Sequence, residues 1–138
     1  MVVLFVPHVV GVSVDKQFLV ELASTPEQWT KGLSGRTNLP ENQGLLFIYP
    51  SSEPRAFWMK GMVFSIDIVF IDDSGAVARI EKNAAPMRPG EEKKLYHSGV
   101  PIKYALELNA GESDGIESGN LCNIKFNNEI SRYILTVN

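Results

Sequence analysis

Phe64-Ser-Ile-Asp-Ile-Val-Phe-Ile71, followed by Asp72-Asp-Ser-Gly75 and then by Ala76-Val-Ala-Arg-Ile-Glu81, is the stretch of sequence that decides the fold class. Its two outer segments are short and rich in isoleucine, valine and phenylalanine, which favour β-strands. The four residues between them are typical of a tight turn, because aspartate, serine and glycine accept the backbone angles that turns require. The stretch therefore predicts an antiparallel hairpin that pairs 64–71 with 76–81.

Short apolar segments on either side of this hairpin extend the β pattern over most of the chain. Outside the hairpin, the sequence predicts strands at 10–14 and 18–22 as a hairpin around Asp15-Lys16, at 45–49 ended by Pro50, at 56–60, at 104–108, and as a final pair at 121–126 and 130–137. Residues 83–101 are rich in proline, glycine and charge and predict a long surface excursion. The expected fold class is mainly β, a small barrel or sandwich of short antiparallel strands with one short helix, and α+β is the fallback.

The helix signal is confined to one segment. Thr25 suits the N-cap, Pro26 suits the first helical position, and Gln28 completes a capping box with Thr25. Gly32 then ends the helix, which is predicted over 26–31.

Length and composition limit the classes of protein to which the chain can belong. Its 138 residues suffice for one domain, taken as residues 1–138, with a hydrophobic core of its own. A single cysteine, Cys122, and two histidines exclude an intramolecular disulfide and any cysteine-based metal site, and we predict no cofactor or metal. The 13 basic and 16 acidic residues make the net charge −3, which argues against nucleic acid as a partner.

The N-terminal run 1–14 is apolar enough to raise the question of a leader or a membrane anchor. No basic residue precedes its apolar part, Pro7 interrupts it, and it is shorter than the ~20 residues that span a bilayer. We therefore interpret it as a strand and expect no transmembrane segment in this chain. The compartment stays open between the cytoplasm and export, the latter if a leader precedes the chain.

Two carboxylates, Asp67 and Glu107, each stand within a run of apolar residues. A carboxylate in such a place must be paired, hydrogen-bonded, or protonated through a raised pKa. If their strands are close, the two could act as acid and base in glycoside or peptide hydrolysis. We favour the structural interpretation, in which each carboxylate accepts backbone N–H groups of a neighbouring loop or pairs with Arg36 or Lys60.

The segment Phe57-Trp-Met-Lys60 places an aromatic ring beside a cation. Alternation sends Phe57 and Met59 to one face and Trp58 with Lys60 to the other, so that one pair enters the core and the other borders a cleft. An exposed Trp58 beside Lys60 suits stacking on a sugar or capture of an anion. The structural alternative is a Trp58 that is a core or half-buried packing residue.

Arg36 follows Gly35 in the loop between the helix and the next strand. Its planar guanidinium group could hold a ligand carboxylate through two hydrogen bonds, or form an internal bridge with Asp67 or Glu107. No nucleotide-binding loop, zinc-peptidase motif or serine-nucleophile elbow accompanies these residues in the sequence.

Several short motifs follow one another in an order that is typical of a known family. They are Glu21-Leu-Ala-Ser-Thr-Pro26, Gly32-Leu-Ser-Gly-Arg36, Gly44-Leu-Leu-Phe47, Phe57-Trp-Met-Lys60, Ile66-Asp-Ile68, and Leu106-Glu-Leu108 followed by Gly111. In this order they resemble the bacterial and archaeal family DUF192, a domain of unknown function. The resemblance covers residues 14–126 and leaves 127–138 as an extra C-terminal strand. It implies a compact, mostly β domain, often in exported or envelope-associated proteins, and supplies no established activity.

The residues support two main classes of function. In the first, the protein is a binding module for a small polar or carbohydrate-like ligand, with a site formed by Arg36, Trp58, Lys60, Asp67 and Glu107. In the second, it is a hydrolytic enzyme that uses Asp67 and Glu107, and a structural or protein-interaction domain is a third alternative. The missing nucleophile motif favours the binding module, for which we predict no catalytic residue.

Overall fold

The structure, a computed structural model, describes residues 15–138, and nine strands and one helix lie in that range. In chain order the elements are β1 (Lys16–Ala23), α1 (Pro26–Lys31), β2 (Gln43–Glu53), β3 (Ala56–Phe57), β4 (Ile66–Ile71), β5 (Val77–Ala84), β6 (Tyr96–His97), β7 (Ile102–Asn109), β8 (Cys122–Asn127) and β9 (Arg132–Val137). The predicted strand 10–14 and the rest of the N-terminal run lie outside the described residues.

Seven of these strands form one sheet in the order β5-β4-β7-β2-β1-β9-β8, and β3 pairs with β6 in a small second sheet. Neighbouring strands are antiparallel except β1 and β2, which run parallel because α1 and the loop after it carry the chain back to the same end of the sheet. The mainly β class is confirmed, with this parallel pair as the difference from the expected arrangement. An isolated bridge joins Ala76 to Leu121 near the two outer strands, but the sheet that residues 15–138 form is not a closed barrel, and the sandwich-like alternative describes it better.

The predicted hairpin of β4 and β5 is confirmed, with Val69 opposite Ile80. Its turn is held by Asp72, whose Oδ1 accepts hydrogen bonds from the backbone N–H and the hydroxyl of Ser74 and from the N–H of Ala76, at 2.9, 2.6 and 3.0 Å. These hydrogen bonds, above all the one from the Ser74 hydroxyl, lower the pKa of Asp72. The turn chemistry that predicted the hairpin is therefore also what stabilises it.

The predicted hairpin around Asp15-Lys16 is wrong. Lys16, expected in the turn, begins β1, which pairs with β2 along one edge and with β9 along the other. Both partners come from distant parts of the chain, and local alternation carries no information about which strands pair.

Two further strand boundaries differ from the prediction. β2 continues through Pro50, and its pairing with β7 shifts register between Ile48 and Glu53. Proline is tolerated at such an irregularity, because its missing N–H removes no ladder hydrogen bond there. The predicted strand 56–60 ends already at Phe57, and the chain then continues as an irregular segment.

Helix α1 forms where it is predicted. Thr25 Oγ1 accepts a hydrogen bond from the N–H of Gln28 at 3.3 Å, and Gln28 Oε1 accepts one from the N–H of Thr25 at 3.2 Å, which completes the capping box. The chain leaves the helix at Gly32, whose φ of 50° suits glycine. In the part of the chain that the structure describes, no helix has the length and hydropathy that crossing a bilayer requires.

The side chain of Trp29 attaches this helix to the large sheet. Its indole N–H donates to the backbone oxygens of Ala23 and Ile48, at 2.9 and 3.1 Å. Ala23 ends β1 and Ile48 belongs to β2, so one side chain ties α1 to both strands of the parallel pair.

Each face of the large sheet carries its own apolar cluster. The face covered by α1, here called the helix face, carries Leu45 and Ile68 among its buried residues, whereas the opposite face, here called the far face, carries Leu106 and Leu108. Successive residues of a strand point to alternate faces, and residues directly opposite each other on neighbouring strands share a face. The pairing register therefore decides on which face each charged side chain of the sheet lies.

Gly44 in β2 marks a close approach between two central strands. A Cβ atom at this position would lie 2.9 Å from the backbone oxygen of Glu107 and 2.9 Å from Leu108 Cδ2. Because neither strand can shift without disturbing the centre of the sheet, we expect Gly44→Ala to lower the free energy of unfolding by about 1–3 kcal/mol. Urea unfolding measures this, with Ser52→Ala at the exposed end of the same strand as a control that changes it by about 0.5 kcal/mol or less. Equal midpoints for the two variants would contradict the tight packing.

Candidate functional site

Glu107 lies at the centre of the large sheet, on the helix face. In β7 it stands between Leu45 of β2 and Ile68 of β4, both members of the helix-face cluster. Its side chain is 6% exposed, and within residues 15–138 its Oε1 has no hydrogen-bond partner. Burial raises the pKa of Glu107 to about 8, against the opposing charge of Arg36. An unsatisfied buried carboxyl group is rare in folded proteins and marks a candidate site.

A cavity of about 210 Å³ adjoins Glu107, between the sheet, helix α1 and the segment that contains Trp58. Aromatic rings form its inner walls, and charged or aromatic side chains line its exposed side. The inner group is Trp29, Phe47, Tyr49 and Phe57, and the exposed group is Lys31, Trp58 and Lys60.

The four inner rings, here called the aromatic wall, form one connected cluster, in which the centroids of Phe47 and Tyr49 lie 6.3 Å apart. Ring centroids lie 5.1 Å apart between Trp29 and Tyr49 and 5.1 Å apart between Phe47 and Phe57. Burial raises the pKa of Tyr49 to about 12, so its hydroxyl keeps its proton at neutral pH. The sequence analysis missed these residues, although Phe47 and Tyr49 are two positions apart in a strand, a spacing that predicts a common face.

Trp58 and Lys60 line the cavity even though their segment is not a strand. Trp58 is 41% exposed, and its ring centroid lies 5.2 Å from Lys60 Nζ and 4.3 Å from Lys93 Nζ. Met59 between them is buried in the helix-face cluster. The predicted division of this motif is therefore observed, and a Trp58 buried in the core is wrong, while a half-buried Trp58 is compatible with its exposure.

Arg36 is engaged with a residue that the sequence analysis did not name as its partner. Its two terminal nitrogens donate to the two carboxylate oxygens of Glu21, at 2.9 and 3.2 Å. This bidentate hydrogen bonding lowers the pKa of Glu21. The predicted bridge to Asp67 or Glu107 is wrong, and Arg36 acts on Glu107 through its charge without lining the cavity.

Asp67 lies on the far face, opposite Leu108 in the neighbouring strand. Its Oδ1 accepts the backbone N–H of Asn83 at 2.9 Å. Its Oδ2 accepts the backbone N–H groups of Gly111 and Ser113 at 3.0 and 3.1 Å and the Ser113 hydroxyl at 2.6 Å. The structural interpretation of Asp67, in which the carboxylate holds the backbone of neighbouring loops, is confirmed.

The large sheet separates the two carboxylates that the sequence analysis considered as a catalytic pair. Asp67 is opposite Leu108 and Glu107 is opposite Ile68, so the two side chains point to opposite faces. Acid–base hydrolysis of a glycosidic bond needs both carboxyl groups on either side of one bond. Asp67 therefore cannot act on a substrate together with Glu107, nor does it join Trp58 and Lys60 at the cavity.

A second cavity, of about 290 Å³, lies on the far face and is lined by aliphatic side chains such as Leu46 and Ile71 together with the turn residues Asp73, Ser74 and Gly75. Cys122 also lines it, and burial raises the pKa of this thiol to about 11, which makes it a poor nucleophile. Among residues 15–138 no group of three or more histidine, cysteine or acidic side chains is placed to hold a metal ion.

A third cavity, of about 450 Å³, is lined by Glu112, whose Oε1 is also buried without a hydrogen-bond partner within residues 15–138. The other carboxylate oxygen of Glu112 accepts the backbone N–H of Asn42, and the residue is only half-buried. We take the cavity beside Glu107 as the candidate site, because Glu107 is almost fully buried and aromatic rings line its cavity.

A family model matches most of the chain, and the description of that family names no activity. The model of the family DUF192, described as "Uncharacterized ACR, COG1430", matches residues 9–124. No curated protein matches the sequence. Strand β9 lies beyond the matched residues, although it pairs with β1 inside the large sheet.

Two crystal structures are similar to this one. A candidate transcription regulator from Sinorhizobium meliloti 1021 is 29% identical, with a TM-score of 0.69 over 77% of this chain and 90% of the other. A protein of unknown function from Novosphingobium aromaticivorans DSM 12444 is 32% identical, with a TM-score of 0.68 over 74% of this chain and 71% of the other. The family match and these likenesses agree with the motifs in the sequence, and the chain belongs to the DUF192 family.

Proposed function

We propose that the protein is a binding module that holds a small polar or carbohydrate-like ligand in the cavity beside Glu107. The observation that carries the proposal is the Oε1 atom of Glu107, which is buried beside a cavity and has no hydrogen-bond partner within the described residues. Desolvating such a group without a partner costs about 1–3 kcal/mol. A ligand that forms a hydrogen bond with Glu107 would recover that free energy.

The lining of the cavity supports the same proposal. Small-ligand sites are mostly apolar and aromatic, with a few fixed polar groups that orient the ligand. Here the aromatic wall supplies the apolar surface, Glu107 supplies a fixed polar group, and Trp58 with Lys60 supplies an exposed ring beside a cation. We assign the direct ligand contacts to Trp58, Lys60 and Glu107.

The other two residues of the site proposed from the sequence have indirect roles in this proposal. Arg36 acts through its positive charge on Glu107, and Asp67 acts by holding the loops on the far face of the sheet. We propose binding without turnover, because hydrolysis by two carboxylates requires them in one site and the pairing register directs Asp67 and Glu107 to opposite faces.

Truncation of Trp58 tests this function without unfolding the protein. Because Trp58 is 41% exposed, we expect Trp58→Ala to change the melting temperature little, while loss of its ring weakens binding of a cavity ligand by about tenfold. The measurement is the chemical-shift response of backbone amides to a library of small sugars, amines and alcohols.

The control for this experiment is Val100→Ala, which truncates an exposed apolar residue outside the cavity lining. We expect this variant to bind as the wild type does. A library that shifts no amide of the cavity residues in the wild type, or that binds equally well to Trp58→Ala, would refute the proposed site.

A further inference from the structure

We infer that the ligand of this cavity carries a small organic ammonium group, which the carboxyl group of Glu107 receives beside the aromatic wall. The inference rests on the proposed binding function and names the chemical class of the group that enters the cavity. Its basis is the carboxyl group of Glu107, which is buried and adjoins the cavity. No lysine or arginine of residues 15–138 forms a salt bridge with it.

The first observation is the missing counter-ion of Glu107. The positive charge of Arg36 acts on Glu107, but both terminal nitrogens of Arg36 donate their hydrogen bonds to Glu21. Within residues 15–138 no lysine or arginine forms a salt bridge with Glu107, and its Oε1 accepts no hydrogen bond. A carboxylate at this position is therefore complementary to a positively charged donor from outside the chain.

The second observation is the chemistry of the walls. The faces of Trp, Tyr and Phe rings attract cations through their quadrupole, and cages of several such rings bind organic ammonium groups. Five such rings line this cavity. Arg55 already lies over Tyr49 and Lys93 over Trp58, at 3.9 and 4.3 Å from the ring centroids. Trp29, Phe47 and Phe57 are the lining rings over which no lysine or arginine of residues 15–138 lies. A neutral hydroxyl group would gain only the hydrogen bond to Glu107. An ammonium group would gain this hydrogen bond and, in addition, the cation–π attraction to the rings.

The exposed side of the cavity restricts the rest of the ligand. Lys31 and Lys60 line this side, so a second positive charge on the ligand would be repelled there. A hydroxyl-bearing or anionic far end is complementary to these lysines. Amino sugars and ω-amino acids have this distribution of charge.

Binding of an ammonium group includes the transfer of one proton. Burial raises the pKa of Glu107, so the unliganded carboxyl group holds a proton at neutral pH. On binding, the O–H bond breaks, the proton passes to the solvent, and the carboxylate accepts a hydrogen bond from the ammonium group. The other titratable or charged groups around the carboxyl are Glu21 on β1, Lys31 on α1, Arg36 after α1, Tyr49 on β2 with Arg55 over its ring, and Lys60 after β3.

Pairs of probes that differ in a single group test the inference directly. The pairs are D-glucosamine with D-glucose, cyclohexylamine with cyclohexanol, and 4-aminobutyrate with 4-hydroxybutyrate. Each probe is titrated at neutral pH into the wild type, Glu107→Gln and Trp58→Ala, with backbone amide shifts as the readout. Potentiometric titration in an unbuffered salt solution then measures the protons released, with no amine buffer present to compete for the cavity.

We expect at least one amine to bind the wild type about tenfold more tightly than its alcohol, with release of up to about one proton per ligand. In Glu107→Gln the ratio of the two dissociation constants should fall close to one and the proton release should vanish. In Trp58→Ala both members of the pair should weaken together, so that the ratio stays as in the wild type.

The results that would overturn the inference differ in what they say about the binding function. An alcohol that binds the cavity as tightly as its amine, or an amine preference that survives in Glu107→Gln, refutes the ammonium ligand and leaves the binding function intact. No cavity shifts with any of the six probes at millimolar concentrations would count against both. Should Glu107→Gln fail to fold, absence of proton release in the wild type on its own refutes the inference.

Discussion

The wild-type protein is expected to lose about 3–4 kcal/mol of unfolding free energy between about pH 5 and about pH 8, a loss that Glu107→Gln removes. The cause is the pKa of Glu107, which is about 8 in the folded protein and 4.5 for an ordinary glutamate. Between these two values the unfolded chain has released the proton and the folded protein still holds it. Stability therefore falls as the pH rises through this window and levels off above it, at about 1.4 kcal/mol per pH unit.

Urea unfolding at a series of pH values measures this effect in the wild type and in Glu107→Gln. The control is Glu92→Gln, which removes a carboxylate from an exposed loop and should leave the pH profile of the wild type unchanged. At the alkaline end Glu107→Gln should be more stable than the wild type, because it removes the free-energy cost of keeping an ionisable carboxyl group buried. Parallel profiles for the wild type and Glu107→Gln would show that Glu107 is solvated in the folded protein.

Asp67→Ala is expected to lower the free energy of unfolding by about 3–5 kcal/mol. The substitution removes the acceptor for three backbone N–H groups and for the hydroxyl of Ser113, which is fully buried. These hydrogen bonds connect β4 to the end of β5 and to the turns after β7, so their loss loosens three parts of the fold at once.

The matched control for Asp67 is Asp73→Ala in the turn between β4 and β5. Asp73 is exposed, and its removal should change the free energy of unfolding by about 0.5 kcal/mol or less. Asp72→Ala should fall between the two, at about 1 kcal/mol, because Asp72 accepts the hydrogen bonds that form the turn. If thermal and urea unfolding show that Asp67→Ala lowers the free energy of unfolding no more than Asp73→Ala does, the role given to Asp67 is refuted.

Features of the fold that depend on neighbouring residues were predictable from the sequence. The β4–β5 hairpin follows from alternation around an Asp-Asp-Ser-Gly turn, and α1 follows from a capping box at its first turn. In both cases the residues that form the decisive hydrogen bonds are within four positions of each other in the sequence. The partners of β1 were not predictable, since β2 and β9 reach it across long stretches of chain.

The candidate site was predictable only in part, for the same reason. Trp58 and Lys60 were predicted from strand alternation to border a cleft, and they line the cavity although 58–60 is not a strand. The role of Asp67 as an acceptor for loop N–H groups followed from its apolar strand. The partner of Arg36 was not predictable, because Glu21 becomes its neighbour only when β1 enters the sheet beside β2.

By itself, then, the sequence determined the mainly β class, the position of the helix and the family to which the chain belongs, because each depends on residue type and short spacing. The tertiary structure alone decided that Asp67 and Glu107 are on opposite faces. Both carboxylates stand in apolar strands, and a shift of one residue in the pairing register would have moved either of them to the other face. The cavity beside Glu107 likewise exists only because β2, β3, β7 and α1 meet there, and no local pattern in the sequence encodes that meeting.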